Sequence, residues 1–279
     1  MLVNYNADGK VCEFLESLAC IALLESTDRI DVLIVDNSEK NLSARTEFCE
    51  KTSGYEGLNI EWIFEETNSG YFGPLAKVQK YIEGNDYQWV IYSNPDLLLD
   101  SKFLANLQRA NDLHNGDLVA PSIIDGKSGG DQNPQYRLRP SKFKLRFLRA
   151  LFSSNLFFNI YQNLGYLKQS LNHSLKELGF TASRAKITEG AASIYAGHGS
   201  LFIFKGCETF LALPKYPCFL FLEELFVAEE VASAGSRIVF VPTVKAYHTN
   251  SFSIGTLHKD QIRRYYLASL DYVTRTYFR

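Results

Sequence analysis

Short apolar runs alternate with helix-length segments through the first 120 residues, and this alternation limits the possible folds more than any other feature. The runs 31–35 and 89–92 have strand length, whereas 9–25 carries apolar residues at helical spacing. Apolar strands joined by helices are typical of parallel sheets covered on both faces. The 279 residues, 46% of them apolar, suffice for one large domain or two small ones. We therefore predict an α/β fold with a mixed, mostly parallel sheet flanked by helices.

Charge and cysteine content exclude several classes of function. The net charge of −2 gives no reason to expect nucleic acid as a partner. The five cysteines include no Cys-x-x-Cys pair, so we expect reduced thiols rather than a zinc or redox site. We find no secretory signal and no apolar run near the ~20 residues that span a bilayer. We expect a cytoplasmic protein that is soluble or bound to the membrane surface.

The tripeptide Asn94-Pro95-Asp96 ends the apolar run 89–92 and is the first candidate for a functional site. Taken alone, such a tripeptide is usually only a turn. A carboxylate at the tip of a buried strand, however, faces the crevice where open α/β sheets bind ligands. One hard oxygen donor with room for waters and phosphates suits Mg²⁺ or Mn²⁺. His248, after a late strand, could complete this metal site, although a lone histidine usually has no such role.

Three other polar groups follow predicted strands. Asp36 could accept a hydrogen bond from a base or a ribose, or could simply cap the next helix. The turn 68–73 contains two glycines that would let backbone N–H groups approach a phosphate. Glu223 and Glu224 stand where a predicted strand, 219–222, meets a predicted helix. Acids are favoured at a helix N-terminus in any case, but one of this pair could serve as a general base.

The middle of the chain is basic and aromatic. No Asp or Glu occurs between residues 132 and 176, and basic residues alternate with apolar ones in the segment 137–161. One interpretation is an amphipathic helix on an anionic membrane surface. The other is a packed helix with solvated Lys and Arg, whose apolar residues a partner subunit could cover. Beyond it we predict strands at 200–204 and 237–241, the latter stopped by Pro242, and a final helix at 257–277.

Taken in order, seven short segments resemble the inverting glycosyltransferases of family 2, which have the GT-A fold. The likeness is greatest to the rhamnosyltransferase-like branch of bacterial polysaccharide synthesis. The segments are Val3-Asn4-Tyr5-Asn6, Val35-Asp36-Asn37-Ser38, Asn68-Ser69-Gly70-Tyr71-Phe72-Gly73, Asn94-Pro95-Asp96, Gly197 to Lys205, Phe221-Leu222-Glu223-Glu224 and Tyr247-His248.

The resemblance implies a role for each matching residue. The donor nucleotide would contact Tyr5, Asn6, Asp36, Asn68, Gly70, Asn94 and Asp96. Asp36 would contact the base, and Asp96, with the late His248, would hold the metal that bridges the donor diphosphate. Gly197, His198 and Gly199 would lie on the acceptor side. Glu224 would be the catalytic base, with Glu223 as the alternative, because the family's second acid at this motif is Asp. The family's next Asp and Arg on that helix are Phe226 and Glu230 here.

We divide the chain into four segments. These are a nucleotide-sugar-binding half at 1–120, a basic insertion at 121–190, an acceptor-binding and catalytic half at 191–256, and a C-terminal helix at 257–279.

The implied activity is transfer of a sugar, with inversion and metal assistance, from a UDP- or dTDP-sugar to a glycan or a lipid-linked glycan. The basic segment would then lie at the inner face of the cell membrane. A degenerate binding or assembly subunit and a sugar-phosphate nucleotidyltransferase remain as alternatives. The sequence leaves a homo-oligomer open.

Overall fold

The computed structural model describes residues 1–25, 30–113, 117–161, 163, 191–249 and 257–279. The strands are β1 (Leu2–Asn4), β2 (Ile30–Asp36), β3 (Leu58–Phe64), β4 (Trp89–Ser93), β5 (Leu97–Leu99), β6 (Leu118–Asp125), β7 (Ala192–Ile194), β8 (Leu201–Lys205) and β9 (Ile238–His248). The helices are α1 (Asp8–Glu25), α2 (Leu42–Thr52), α3 (Leu75–Ile82), α4 (Phe103–Leu113), α5 (Lys142–Phe152), α6 (Glu208–Leu211), α7 (Glu223–Ser233) and α8 (Lys259–Tyr277).

All these strands join one sheet in the order β3-β2-β1-β4-β8-β6-β9-β5, with β7 paired to β9. The longest paired stretches, β2 with β3 and β6 with β9, are parallel. β8 is antiparallel to both β4 and β6, and β5 is antiparallel to β9. Helices cover both faces, so the predicted α/β class with a mixed, mostly parallel sheet is confirmed.

The side chains of β2 pack into two apolar cores, one on each face of the sheet. Val32 and Ile34 point to one face and join a cluster with α1 and α4. Leu33 and Val35 point to the other face and join a cluster with α3 and α7. Successive residues of a strand point to opposite faces, so a strand covered on both faces must be apolar throughout.

A third apolar cluster joins α5 to α8 beside the sheet. Leu145 and Phe152 of α5 pack here with Leu270 and Val273 of α8. One ion pair links the two helices, since Arg149 of α5 lies 2.6 Å from Asp271 of α8.

Arg139 also belongs to the predicted basic segment, and the structure places it against the protein. Its Nε lies 2.6 Å from Glu229, and its guanidinium lies over the ring of Phe278. These contacts anchor the start of the basic segment to α7 and the C-terminus.

Two predictions about strands were wrong. Residues 219–222 form no strand, because Phe221 and Leu222 have left-handed backbone angles, with φ of 75° and 62°. β9 does not stop at Pro242 but continues to His248, because the register with β6 shifts at this point and forms a bulge that accommodates the proline.

The predicted boundaries of the four segments stay predictions, and residues 164–190 of the insertion lie outside the described residues. Among the described helices, none is both long enough and apolar enough to cross a membrane. All five cysteines are free in the structure.

The pairing directions bring several strand ends to one edge of the sheet. β1, β2 and β4 are parallel, so Asn4, Asp36 and Ser93 lie at the same edge. β6 and β9 end at this edge as well, and Asp125 is in register with His248. Ligands bind at the carboxyl edge of such sheets.

Candidate functional site

A cavity of about 290 Å³ opens at the carboxyl edge of the sheet. The candidate residues that line it are Tyr5, Asn68, Gly70, Asn94, Asp96, His198, Gly199, Glu223 and Glu224. The candidates that do not line it are Asn6, Asp36, Gly197 and His248. Residues separated by more than 200 positions in the chain therefore meet around one cavity.

Asp96 and His248 contact each other beside this cavity. Nε2 of His248 lies 3.1 Å from Oδ2 of Asp96, and both side chains are buried. The contact depends on β5 and β9, since Leu97, the next residue after Asp96, is in register with His248. The backbone carbonyl of Asp96 also accepts a hydrogen bond of 2.9 Å from the N–H of Thr249.

Gln132 contacts the ring nitrogen of His248 that points away from Asp96. Nε2 of Gln132 lies 3.4 Å from Oδ2 of Asp125, so the amide oxygen faces Nδ1 of His248 at 2.9 Å. If Nδ1–H donates to this oxygen, Nε2 presents a lone pair to the carboxylate of Asp96. Two acceptors that face each other at 3.1 Å are satisfied by a shared cation or proton.

The residues present fit a divalent metal. Oδ1 of Asp96 is buried and has no hydrogen-bond partner among the described residues. Carboxylate and imidazole both bind Mn²⁺, and Mg²⁺ also accepts carboxylate. No cluster of three or more His, Cys, Asp or Glu suited to a metal occurs in the described part of the chain. Two protein ligands are consistent with a cation that keeps waters or phosphate oxygens in its other positions.

Glu223 and Glu224 begin α7 at the cavity wall. Burial raises the pKa of Glu223 to about 8, and the neighbouring charge of Glu224 adds to this effect. Burial raises the pKa of Glu224 to about 7. A helix N-terminus normally favours ionised acids, so desolvation outweighs the helix dipole here. A carboxylate with a pKa near 7 is suited to accept a proton near neutral pH.

The two acids follow a strained turn. Phe221 and Leu222 both have positive φ, a conformation that costs a non-glycine residue about 1–2 kcal/mol. The turn is held by hydrogen bonds to its carbonyls: the hydroxyl of Tyr216 donates to Phe221 at 2.5 Å, and that of Ser269 donates to Leu220 at 2.7 Å. Backbone strain of this kind is concentrated at functional sites.

The predicted glycine turn also lines the cavity. The side chain of Asn68 accepts the N–H of Gly70 at 3.0 Å, and the side chain of Asn37 donates to the Gly70 carbonyl at 2.9 Å. Gly70 has a φ of 85°, and a Cβ there would lie 2.0 Å from the carbonyl oxygen of Phe219. Only glycine lets this turn approach the segment that carries the acids.

The carboxylate of Asp36 is bound by other residues of the protein. Its carboxylate is fully buried and forms an ion pair of 2.7 Å with Lys40, while Asn4 and the N–H of Ser38 donate to its other oxygen. Its neighbour Asn37 lines the cavity instead. The predicted base contact of Asp36 has no support in this arrangement and stays a prediction.

Asn6 lies near this network but faces solvent. It is exposed, with a φ of 52°, and its N–H donates to the hydroxyl of Ser38. Tyr5, the preceding residue, lines the cavity.

The predicted acceptor-side loop divides into a packing residue and two lining residues. A Cβ on Gly197 would lie 2.9 Å from the Cβ of Ala120, so this glycine is needed for packing. His198 and Gly199 reach the cavity. Nδ1 of His198 accepts the N–H of Ser200 at 3.2 Å, which leaves Nε2 as the protonated nitrogen. Burial lowers the pKa of His198 to about 4, so it is neutral near pH 7.

Sequence reasoning missed two residues of this site. Tyr71 lines the cavity with a buried hydroxyl that has no partner among the described residues. Burial, with Tyr92, Glu223 and Asp96 nearby, raises its pKa well above the usual value. It stands inside the glycine turn motif, which was a usable signal. Gln132 had no such signal, because it belongs to no motif.

Comparisons with known proteins identify the fold. The mannosyltransferase PcManGT from Pyrobaculum calidifontis, in complex with GDP-Man and Mn²⁺, has a TM-score of 0.54 at 15% identity, over 94% of this chain and 59% of its own. S. aureus TarS 1–349, in complex with UDP-GlcNAc, has a TM-score of 0.53 at 14% identity, over 92% of this chain and 60% of its own. The chain thus spans about 60% of the length of these structures. They confirm the GT-A fold.

A search of curated proteins found no significant match. The sequence profile described as "Glycosyl transferase family 2", in contrast, matches residues 1–175, which is more than half of the chain. The matched region contains β1 to β6, and therefore the turn 68–73 and Asp96. The chain belongs to glycosyl transferase family 2.

Proposed function

We propose that this protein transfers a sugar from a nucleotide-diphosphate donor to a hydroxyl group of a glycan or lipid-linked glycan, with inversion at the anomeric carbon. The observation that carries the proposal is that Asp96, Glu223 and Glu224 all line the same cavity. Family membership supports transferase chemistry. The cavity supplies the two kinds of group that such chemistry needs, a carboxylate to bind a metal and a carboxylate to act as a base.

Glu224 is the proposed base. It lines the cavity, and burial raises its pKa to about 7, so its ionised form is both available and basic near neutral pH. Attack by the deprotonated hydroxyl in one displacement would invert the configuration. Glu223, with its pKa raised to about 8, is mostly protonated near pH 7 and can donate a hydrogen bond to a sugar hydroxyl.

Asp96 and His248 would hold the metal. A Mg²⁺ or Mn²⁺ ion bound there would neutralise charge on the leaving diphosphate. Gln132 keeps Nε2 of His248 directed at this position. Both structural neighbours were solved with nucleotide sugars, and one of them also with Mn²⁺, which supports the donor class and the cofactor.

The donor would lie between the glycine turn and the end of β4. Asn68, Gly70 and Asn94 line this side of the cavity together with Tyr5. Their fixed positions would supply much of the rate by orienting the diphosphate. Of the donor classes we propose UDP- or dTDP-sugars, from the resemblance to the rhamnosyltransferase-like branch.

Titration calorimetry tests the donor site. UDP, dTDP and GDP are titrated with and without Mn²⁺ into wild type, Asp96→Ala and the control Asp86→Ala, an exposed carboxylate before β4. We expect one diphosphate to bind in a metal-dependent manner, with the binding lost only in Asp96→Ala. If no diphosphate binds to the wild type under either condition, the donor-site assignment is wrong.

A binding subunit without turnover is the second candidate. Phe226 and Glu230 replace a family acid and arginine, and both have structural roles here. Phe226 is fully buried against Tyr216, and Glu230 accepts the hydroxyl of Tyr277. Nucleotide binding without donor hydrolysis or transfer would select this candidate over the enzyme.

A further inference from the structure

Helix α5 and the residues around it carry a second apolar side that the fold does not use. Leu145 and Phe152 point inward and are buried against α8. Phe143 and Phe147 point outward, one helical turn apart, with 71% and 66% of their surface exposed. An amphipathic helix needs one apolar stripe to pack on its protein.

Other exposed apolar residues extend this second side. Leu138 precedes the helix with 82% exposure, and Leu156, Phe157 and Ile160 follow it. We call the set the basic apolar surface; it comprises Leu138, Lys142, Phe143, Lys144, Arg146, Phe147, Leu156, Phe157 and Ile160. Exposed apolar groups of this number in one short segment mark an interaction site.

All the charged residues of the basic apolar surface are positive. Lys142, Lys144 and Arg146 are exposed and stand next to the two outward phenylalanines. No described carboxylate forms a salt bridge with these three residues, and the sequence has no acid between residues 132 and 176. A surface with this composition attracts an extended anionic surface that also has an apolar interior.

We propose that the basic apolar surface docks on an anionic lipid bilayer, with the phenylalanines inserted at the headgroup boundary and the cations among the lipid phosphates. The proposal rests on this surface alone and does not depend on the transferase assignment. It does, however, give a reason for a lipid-linked acceptor.

The basic apolar surface is connected to the site cavity. Gln135 lines the cavity, and Leu138 of the surface follows it three residues later. Phe152, on the buried side of α5, lies 5.3 Å between ring centroids from Tyr266, which also lines the cavity. The basic apolar surface is therefore linked to the cavity wall through Gln135 and through the contact of Phe152 with Tyr266.

Vesicle flotation tests the proposal. The full chain is mixed with vesicles of phosphatidylcholine alone or with one quarter phosphatidylglycerol, at low and high salt, without any nucleotide. The variant Phe143→Ser/Phe147→Ser removes the two outward rings. Leu23→Ser/Leu24→Ser is the matched control, because these leucines of α1 are also exposed, at 56% and 72%. Thermal melts show whether each variant is folded.

We expect the wild type and the leucine control to float with the anionic vesicles only, and less at high salt. The phenylalanine variant should lose about ten-fold or more in partitioning. Equal flotation of wild type and phenylalanine variant would overturn the proposal, as would absence of flotation with anionic lipid. A concentration-dependent dimer that the phenylalanine variant abolishes would assign the surface to a second copy instead, and would also overturn it.

Discussion

Nδ1 of His248 lies 2.9 Å from the amide oxygen of Gln132, and this contact determines which nitrogen of the imidazole faces Asp96. The other end of the amide lies 3.4 Å from Asp125, the last residue of β6. The orientation of a residue on β9 is thus set by the strand beside it. Groups that orient metal ligands contribute to metal affinity even though they do not touch the metal.

Replacing Gln132 by Leu should weaken metal binding. The substitution leaves Nδ1 of His248 without its acceptor, so the ring loses its preferred tautomer and orientation. We expect the affinity for Mn²⁺ in the presence of UDP to fall by about 10–100-fold, measured by electron paramagnetic resonance of free Mn²⁺. Gln135→Leu is the control, because Gln135 lines the cavity without contacting His248. An equal loss in both variants would contradict the assigned role.

Replacing Glu224 by Gln should abolish most turnover and leave donor binding intact. The amide keeps the size of the side chain but cannot accept the proton of the attacking hydroxyl, so the rate should fall by about 10²–10⁴-fold. Donor affinity by calorimetry should change by less than about two-fold. Glu223→Gln is the comparison, and a larger loss of turnover in that variant would assign the base to Glu223.

The acid pair should make the protein less stable as the pH rises. Burial raises the pKa of Glu223 to about 8 and that of Glu224 to about 7, against an ordinary carboxyl value of 4.5. The folded state therefore binds these protons more tightly than the unfolded state. This contribution to stability is full below pH 4.5 and is lost as the pH rises through 7 to 8.

Glu223→Gln should flatten this dependence. Its melting temperature, measured from pH 5 to 9, should exceed that of the wild type most at pH 9, by an amount equivalent to about 1–4 kcal/mol. A constant difference between the two proteins over the whole range would show that Glu223 is not protonated in the folded state.

Gly70→Ala should disrupt the site, whereas Gly84→Ala should be mild. Both glycines have φ above 80°, but a Cβ on Gly70 would lie 2.0 Å from the Phe219 carbonyl, while a Cβ on Gly84 meets nothing within 4 Å. We expect losses of about 2–4 kcal/mol in unfolding free energy for Gly70→Ala and about 1 kcal/mol for Gly84→Ala, measured by urea denaturation. Equal losses would show that strain, not the close approach, matters.

Local pattern was sufficient for most of the fold. The segment 9–25, with its helical spacing, is found as α1, Asp8–Glu25, and the strand-length runs 31–35 and 89–92 lie within β2 and β4. These elements have strong periodicity and are covered on both faces. The prediction of a strand at 219–222 was wrong because Phe221 and Leu222 form a left-handed turn, in which the carbonyls of Phe221 and Leu220 accept hydrogen bonds from Tyr216 and Ser269.

The site was predictable where a motif carried it. Asp96, Glu223, Glu224 and the glycine turn all stand in short patterns, and all line the cavity. Gln132 could not be found in this way, because its role exists only through His248, 116 positions later. A glutamine that orients another side chain leaves no local trace in the sequence.

The place of β8 in the sheet has a consequence for synthesis of the chain. β8, Leu201–Lys205, separates β4 from β6, and β9 covers the other side of β6. A ribosome that has released only the first 175 residues has therefore produced β4 and β6 with their inner edges unpaired. Open edges of this kind invite pairing with other chains. During that interval the unpaired edges of β4 and β6 can pair with other chains. For the same reason, we expect a frameshift near residue 190 to yield an aggregating fragment rather than a smaller transferase.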